Sequence, residues 1–261
     1  MTEGEKPNNK NGVIDRSKRF IIVFHGTDRT LRSEDFIFER SNKGDDFGAG
    51  AYFTSTFRGA SRWAHIKKGD VVNWYLFRQG SARMDKTITF NDTETLLKWI
   101  NTIIEFVEGS HTGMEDFIIG DTADGMAALI LNSYSEYAKK KGLKLSELED
   151  SEKLDMAMAM SPDSFEQQIA VKTKQGLNYI EFIDSGRAME VDDSWLYVDP
   201  AVAAANVISL ITEKYGIPED QAIVRFMKSN TFHIITEDQS VAQLPAEDLL
   251  GIYEKEVENA R

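Results

Sequence analysis

The sequence predicts an α+β fold, in which short strands and helices alternate up to about residue 190 and only helices follow. Two runs predict strands: the apolar segment Phe20–Phe24 and the β-branched and aromatic segment Val71–Phe77. Helices are predicted because apolar residues recur at steps of three and four between Thr93 and Val107.

The other elements follow in order from the same patterns. Short apolar runs bounded by turn residues predict strands, and charged segments with one apolar side predict helices. The further strands are predicted near Ala51–Thr54, Phe117–Gly120, Gln168–Thr173 and Leu177–Phe182. The further helices are predicted at Arg58–Ile66, at Ala123–Ser133 and within residues 135–163.

The pattern changes after about residue 190, where three helices are predicted to follow one another. Asp199 is predicted to cap the first of these helices, because Pro200 follows it at the first helical position. Pro218 and Pro245 are predicted to open the other two. We therefore predict a flexible amino terminus at 1–17, one domain at 18–190 and a small helical module at 194–261.

Composition is that of a globular protein and excludes several kinds of site. The chain has 261 residues and no cysteine, which removes disulfides, thiolate metal sites and cysteine nucleophiles. Its four histidines lack metal-ligand spacing, so no metal is expected. A net charge of -13 disfavours general nucleic-acid binding. With no secretory signal and no long apolar run, we expect a cytoplasmic protein without a membrane partner.

The first motif with chemical potential is the triplet that closes the first predicted strand. His25 can donate from one ring nitrogen and accept at the other, so it can hold a ribose hydroxyl. Gly26 would let a ligand approach the backbone, and Thr27 adds a hydroxyl. From the residues alone, a histidine bonded to its own neighbours in the core is the alternative.

The second motif places an aromatic ring behind a stretch of very small residues. Tyr52 follows Gly48-Ala49-Gly50-Ala51, which leaves space in front of its ring, and Trp63 lies on the next predicted helix. Two rings can clamp a flat ligand, and each stack contributes about 0.5–1.5 kcal/mol beyond the area it buries. Ordinary core positions remain the alternative for both rings.

Taken together, these segments resemble the ADP-ribosyltransferases of the diphtheria-toxin and poly(ADP-ribose) polymerase type. The resemblance rests on His25–Thr27, Gly50–Thr54 and Ala60–Ala64, and covers about residues 18–190. It is closest to a bacterial branch with an Asp-Phe-Gly-x-Gly-x-Tyr segment, matched by Asp46–Tyr52. The resemblance implies a split antiparallel β-sheet and NAD as substrate.

The resemblance also implies roles for the matching residues. His25 would hold the adenine-side ribose, and Gly26 would bind the nicotinamide amide through its backbone. Tyr52 would stack on the nicotinamide ring, and Trp63 would replace the family's second tyrosine. The predicted NAD-binding set is completed by Thr27, Gly50 and Arg40, the last as a phosphate contact.

The third signature residue of that family, a glutamate, is where this chain departs. By position we align Gln168 with this glutamate. Strand alternation puts Glu166 on the same face as Gln168, and Glu166 is the nearest carboxylate on that face. A carboxylate stabilises the positive charge that builds on the ribose, and general base catalysis is worth about 10²–10⁴-fold in rate. Gln168 therefore favours mono-transfer over polymer synthesis and leaves open a weak or inactive NAD-binding domain.

We thus expect a mono-ADP-ribosyltransferase that modifies a macromolecule, with protein favoured over nucleic acid as acceptor. The segment Asp116–Gly125 would line the acceptor side, with a turn between elements as the alternative. A toxin-type effector restrained by its helical module is one form of this expectation, and that module would contact the catalytic domain or a partner protein. The alternatives are a nucleotide sensor that binds NAD without transfer, and an interaction module with no ligand.

Overall fold

The structure is a computed structural model, and it contains both strands and helices. It describes residues 18–38, 46–83, 87–90, 96–123, 127–160, 163–190 and 197–259, with only the backbone at 163–166. The strands are β1 Ile21–Thr27, β2 Ala51–Thr54, β3 Val71–Phe77, β4 Thr87–Thr89, β5 Phe117–Thr122, β6 Asp163–Val171 and β7 Ile180–Arg187. The α+β class predicted from the sequence is therefore confirmed.

The helices lie between these strands and after them. They are α1 Phe57–Ile66, α2 Leu96–Glu108, α3 Ala127–Lys140, α4 Asp150–Ala159, α5 Lys174–Leu177, α6 Pro200–Tyr215, α7 Glu219–Met227, α8 Asn230–Glu237, α9 Gln239–Ala242 and α10 Ala246–Asn259. The described residues divide into two compact units, and β2 passes from one to the other between Tyr52 and Phe53.

The first unit joins the amino-terminal strands to the carboxy-terminal helices. It contains the described residues up to Phe36, Phe53–Ala82, and those from Leu177 onward. Its strands lie in the antiparallel order β2-β1-β3-β7. One apolar cluster, which includes Phe24, Trp74 and Phe226, draws on β1, β3, α1 and the helices after residue 200.

Two polar contacts also connect those helices to the rest of the first unit. The indole Nε1 of Trp74 on β3 donates to the carbonyl oxygen of Met227, 2.9 Å away. The buried Asp199 caps α6, as predicted, and also accepts from two backbone N–H groups at the start of α1. The predicted boundary near residue 190 therefore does not separate the two compact units.

The second unit contains Ile37–Tyr52 and Arg83–Gly176, as far as they are described. Its strands lie in the order β4-β5-β6 and pack with α2, α3 and α4 around a cluster that includes Ile103, Ile118 and Met156. The expectation of an entirely antiparallel sheet is wrong at one pair, because β4 and β5 run parallel. Helix α2 supplies the crossover connection that parallel neighbours require.

Candidate functional site

The predicted site residues fall into two groups, one in each compact unit. His25, Gly26, Thr27 and Trp63 belong to the first unit, whereas Gly50, Tyr52 and Gln168 belong to the second. Arg40 lies outside the described residues, and so does the side chain of Glu166. The two groups are therefore described one after the other.

His25 lies within an aromatic cluster on one face of β1. Its ring centroid is 5.1 Å from that of Phe36 and 5.8 Å from that of Phe53, and its side chain is partly exposed. Tyr75 extends the cluster by a contact with Phe53, and burial raises the pKa of its hydroxyl well above the ordinary value, with Asp35 adding to the shift. The imidazole thus borders apolar rings that hold it in place.

The segment after β1 is fixed above this face by a buried amide. Asn73 is the cross-strand partner of His25, and it is fully buried. Its Oδ1 accepts from the backbone N–H of Leu31 at 2.9 Å, and its Nδ2 donates to the carbonyl of Arg29 at 3.1 Å. This anchors the chain that leads toward Phe36, and therefore the ring that contacts His25.

Gly26 is required by helix packing rather than by open space. A Cβ at this position would lie 1.8 Å from the carbonyl oxygen of Ala60 and 2.6 Å from the backbone nitrogen of Ala64. On that face of β1 the space is filled by α1, and the expectation that it stands open to a ligand is wrong. The carbonyl of Gly26 instead lies within 3.4 Å of Lys67 Nζ.

Trp63 lies on the outer side of α1. The side of the helix that packs inward carries small residues, whereas the Trp63 side chain is 39% exposed. Thr27, at the end of β1, is buried, and its hydroxyl donates to Asp28 Oδ1 at 3.2 Å. The Trp63 indole is thus partly exposed on α1, and its stacking on a planar ligand stays a prediction.

In the second unit, the hydroxyl of Tyr52 is tied to the loop that precedes its own strand. It accepts from the backbone N–H of Phe47 at 3.0 Å and donates to the carbonyl of Gly48 at 2.7 Å. Gly48 has a φ of +67°, and a Cβ there would meet the ring of Phe106 at 2.7 Å, so only glycine suits this turn. The tyrosine ring is thereby fixed while its side chain stays partly exposed.

Gln168 contacts Asp46, the first residue of the loop Asp46–Gly50. Its Nε2 donates to Asp46 Oδ2 at 2.5 Å, and the side chain is only 7% exposed. The same carboxylate oxygen accepts from the backbone N–H of Ala123 at 3.1 Å. Sequence reasoning named Asp46 only as part of a motif and missed this contact, although the motif itself pointed to the residue.

The loop Asp46–Gly50 is further held by a lysine and two rings. Lys172 Nζ donates to the carbonyls of Phe47 and Ala49, and lies 4.4 Å from the centroid of Phe106. On Phe106 stacks His111, at 4.1 Å between centroids. These backbone, ammonium and aromatic contacts hold the loop in place within the second unit.

Strand β6 also carries a second glutamine–aspartate pair, directly beside the first. Gln167 is 2% exposed, and its Nε2 donates to Asp121 Oδ1 at 3.1 Å. Asp121 is its partner in the register of β5 and β6.

The described residues contain no group of three or more histidine or acidic side chains placed to hold a metal ion.

The part of the chain that the structure describes has no helix with the length and apolar character needed to cross a bilayer.

Among comparisons with known proteins, the profile of a family described as "Protein of unknown function (DUF3990)" matches residues 21–182, which is more than half of the chain. Searches of curated proteins and of solved structures found no match.

Proposed function

We propose that this chain, which belongs to the DUF3990 family, is a mono-ADP-ribosyltransferase with NAD as its substrate. The proposal includes an ADP-ribosyltransferase-like arrangement of the strands. It attributes binding of the nicotinamide half of NAD to Tyr52 and Gln168 in the second unit. Of the predicted residues in the first unit, His25, Thr27 and Trp63 would contact ribose and nicotinamide.

The observation that carries the proposal is that one loop, Asp46–Gly50, holds both Tyr52 and Gln168. The tyrosine bonds to Phe47 and Gly48 through its hydroxyl, and the glutamine bonds to Asp46 through its amide. These two residues are far apart in the sequence and were assigned from separate motifs. A ring that can stack on nicotinamide and an amide that can hold a ribose hydroxyl would both serve this reaction.

In the proposed reaction, the bond between ribose C1′ and the nicotinamide nitrogen breaks. Its electron pair stays with nicotinamide, which leaves as a neutral molecule, and positive charge develops on the ribose. A nucleophilic atom of the acceptor then bonds to C1′ and loses its proton to solvent. Tyr52 would position the leaving group, and Gln168 would hold a ribose hydroxyl through its amide oxygen.

The other predicted residues take supporting roles in this proposal. His25 would bind the adenine-side ribose, and Trp63 would stack on the nicotinamide from α1. A Cβ at Gly50 would lie 2.9 Å from the Val171 carbonyl oxygen, so this glycine serves packing against β6 rather than ligand approach. Arg40 would contact a phosphate, and Glu166 would serve the acceptor. A net charge of -13 favours a protein acceptor over nucleic acid.

Calorimetry with NAD, combined with chromatographic detection of released nicotinamide, tests the proposal. Wild-type protein should bind NAD, release nicotinamide and label a macromolecule from labelled NAD. Tyr52→Ala should weaken binding by about 2- to 10-fold, which corresponds to one lost stack of about 0.5–1.5 kcal/mol. Tyr215→Ala is a matched control, because Tyr215 is half exposed at the end of α6. Absence of NAD binding at millimolar concentration would refute the proposal.

A second candidate function is an NAD sensor that performs no transfer. It is favoured by the uncharged amide at position 168, whose nitrogen is already bonded to Asp46. An amide can orient a hydroxyl but cannot remove its proton as a carboxylate does. NAD binding without release of nicotinamide, together with a gain of hydrolysis in Gln168→Glu, would select this function.

A further inference from the structure

We infer that Asp46 is a positioning residue for the reaction, because its carboxylate fixes the orientation of the Gln168 amide. This inference rests on the proposed function and deepens it. It gives a role to a residue that the proposal above leaves without one. It also explains how a site with glutamine in place of glutamate can keep a carboxylate close to the reacting ribose.

The orientation of the amide follows from the chemistry of its partner. An ionised carboxylate only accepts hydrogen bonds, so the amide nitrogen of Gln168 must face Asp46 Oδ2, and it does so at 2.5 Å. The two ends of an amide are distinct, and the oxygen Oε1 must then point away from Asp46. The carboxylate thus selects which end of the amide is offered to a ligand.

An outward Oε1 is the end that the proposed reaction requires. It accepts a hydrogen bond and can therefore hold a ribose hydroxyl, whereas an outward amide nitrogen could only donate. The negative charge of Asp46 also lies directly behind this amide. It can stabilise positive charge on the ribose through the polarised amide, even though the residue at position 168 is itself neutral.

The surroundings of Asp46 hold the carboxylate in this arrangement. The backbone N–H of Ala123 donates to the same oxygen at 3.1 Å. Ala123 follows β5 in the segment that the sequence assigned to the acceptor side. The loop that begins at Asp46 is fixed by Tyr52 and Lys172, so the carboxylate sits between two immobilised elements. This is the geometry of a positioning contact rather than of a solvated surface residue.

Substitution of Asp46 by alanine tests the inference, because Gln168 Nε2 and the Ala123 N–H both bond to the same oxygen, Oδ2, and alanine removes it. Asp46→Ala should free the Gln168 amide to turn and lower kcat for nicotinamide release about 10²-fold, the order expected for a misplaced contact group. The KM for NAD should change less than about threefold, as a rough bound on uniform binding. The matched control is Asp150→Ala, at an exposed aspartate of α4 in the same unit, which should leave kcat near that of the wild type.

The conservative variant supplies a rescue. In Asp46→Asn the asparagine oxygen can take the place of Oδ2 and accept from both Gln168 and Ala123, so the amide keeps its orientation and kcat should recover in part relative to Asp46→Ala. In the double variant Asp46→Asn with Gln168→Glu, the asparagine nitrogen can instead turn to donate to the glutamate. In Gln168→Glu alone, two carboxylates would lie in hydrogen-bond contact and one would retain a proton. The single variant should therefore need a higher pH for full activity than the double variant.

A spectroscopic measurement separates failure of this inference from failure of the proposed function. The side-chain amide resonances of Gln168 should shift in Asp46→Ala and not in Asp150→Ala, and this requires no NAD. If wild-type protein binds NAD and Asp46→Ala keeps its kcat, the inference is overturned while the proposed function stands. If NAD does not bind, both fall, and the amide resonances report only that the pair exists. A misfolded single variant would leave the double variant and its pH profile to decide.

Discussion

Asp199 makes the strongest prediction about stability, because one buried carboxylate caps two helices. It accepts from the backbone N–H groups of Phe57 and Arg58 at 3.1 and 3.0 Å, at the start of α1. It also accepts from Ala201 at 2.9 Å in α6 and from the hydroxyl of Tyr197 at 3.3 Å. Asp199→Ala removes all four contacts at once.

The magnitude follows from the number of donors left without an acceptor. Three backbone N–H groups lose a bond worth about 1 kcal/mol each, so Asp199→Ala should lower the free energy of unfolding by about 3 kcal/mol. In a chain of this size that corresponds to about 6–12 °C in Tm. Asp238→Ala is the matched control, since Asp238 is an exposed cap of the short helix α9 and its loss should matter much less.

Hydrogen exchange measured by mass spectrometry gives the most direct assay. Peptides from α1 and α6 should exchange faster in Asp199→Ala, whereas peptides from α2 in the second unit should be unchanged and serve as an internal reference. Equal exchange in α1 for wild type and variant, or a loss no greater than that of Asp238→Ala, would refute the reasoning.

The same residue predicts a pH dependence. Burial raises the pKa of the Asp199 carboxyl, and its hydrogen bonds from α1, α6 and Tyr197 only partly oppose that shift. The folded protein therefore binds this proton more tightly than the unfolded chain does. The part of the free energy of unfolding that depends on this proton is complete below the ordinary carboxyl pKa of 3.8, and it is lost as pH rises through the raised pKa. Asp199→Asn should lack this slope in unfolding curves recorded across acidic pH.

Three further predictions concern the candidate site and the helices that follow it. Gly26→Ala should strongly lower Tm, since its Cβ would lie 1.8 Å from the Ala60 carbonyl, whereas Gly251→Ala in α10 meets nothing within 4 Å and should be neutral or stabilising. Tyr52→Phe should cost about 1–2 kcal/mol in chemical unfolding, because two backbone groups lose the hydroxyl, and an unchanged midpoint would contradict the described contacts. A chain ending at residue 190 should lose the cooperative unfolding of the first unit in calorimetry, since Trp74 and its neighbours would be uncovered, and a folded, activated fragment would support the restrained-effector reading instead.

Much of the fold could be predicted from the sequence, because its strongest patterns are local. Val71–Phe77 and Ala51–Thr54 are strands with the predicted bounds, and the proline-led helix at Pro200–Tyr215 begins as predicted. Helix α8 was missed because Asn230–Glu237 is rich in β-branched and aromatic residues that disfavour helix. Burial of Phe232 and its neighbours in the first unit overrides that preference.

The candidate site could be predicted only in part, for a similar reason. Tyr52 and Gln168 were identified from motifs, whereas their common dependence on one loop arises from tertiary contacts. Gly26 was assigned to ligand approach because sequence does not reveal which element covers a glycine. Asp46 stood inside a named motif, yet nothing local to it indicated a bond to β6.

The ring cluster around His25 offers a practical consequence for solution work. Aromatic rings shift the magnetic resonance of protons above and beside them, and Phe36 and Phe53 lie with their ring centroids 5.1 and 5.8 Å from the imidazole. The chain has only four histidines, so the ring protons of His25 belong to a small set of signals, and these two rings should displace theirs. That signal provides a native, label-free reporter whose movement on titration would register any small molecule that reaches the end of β1.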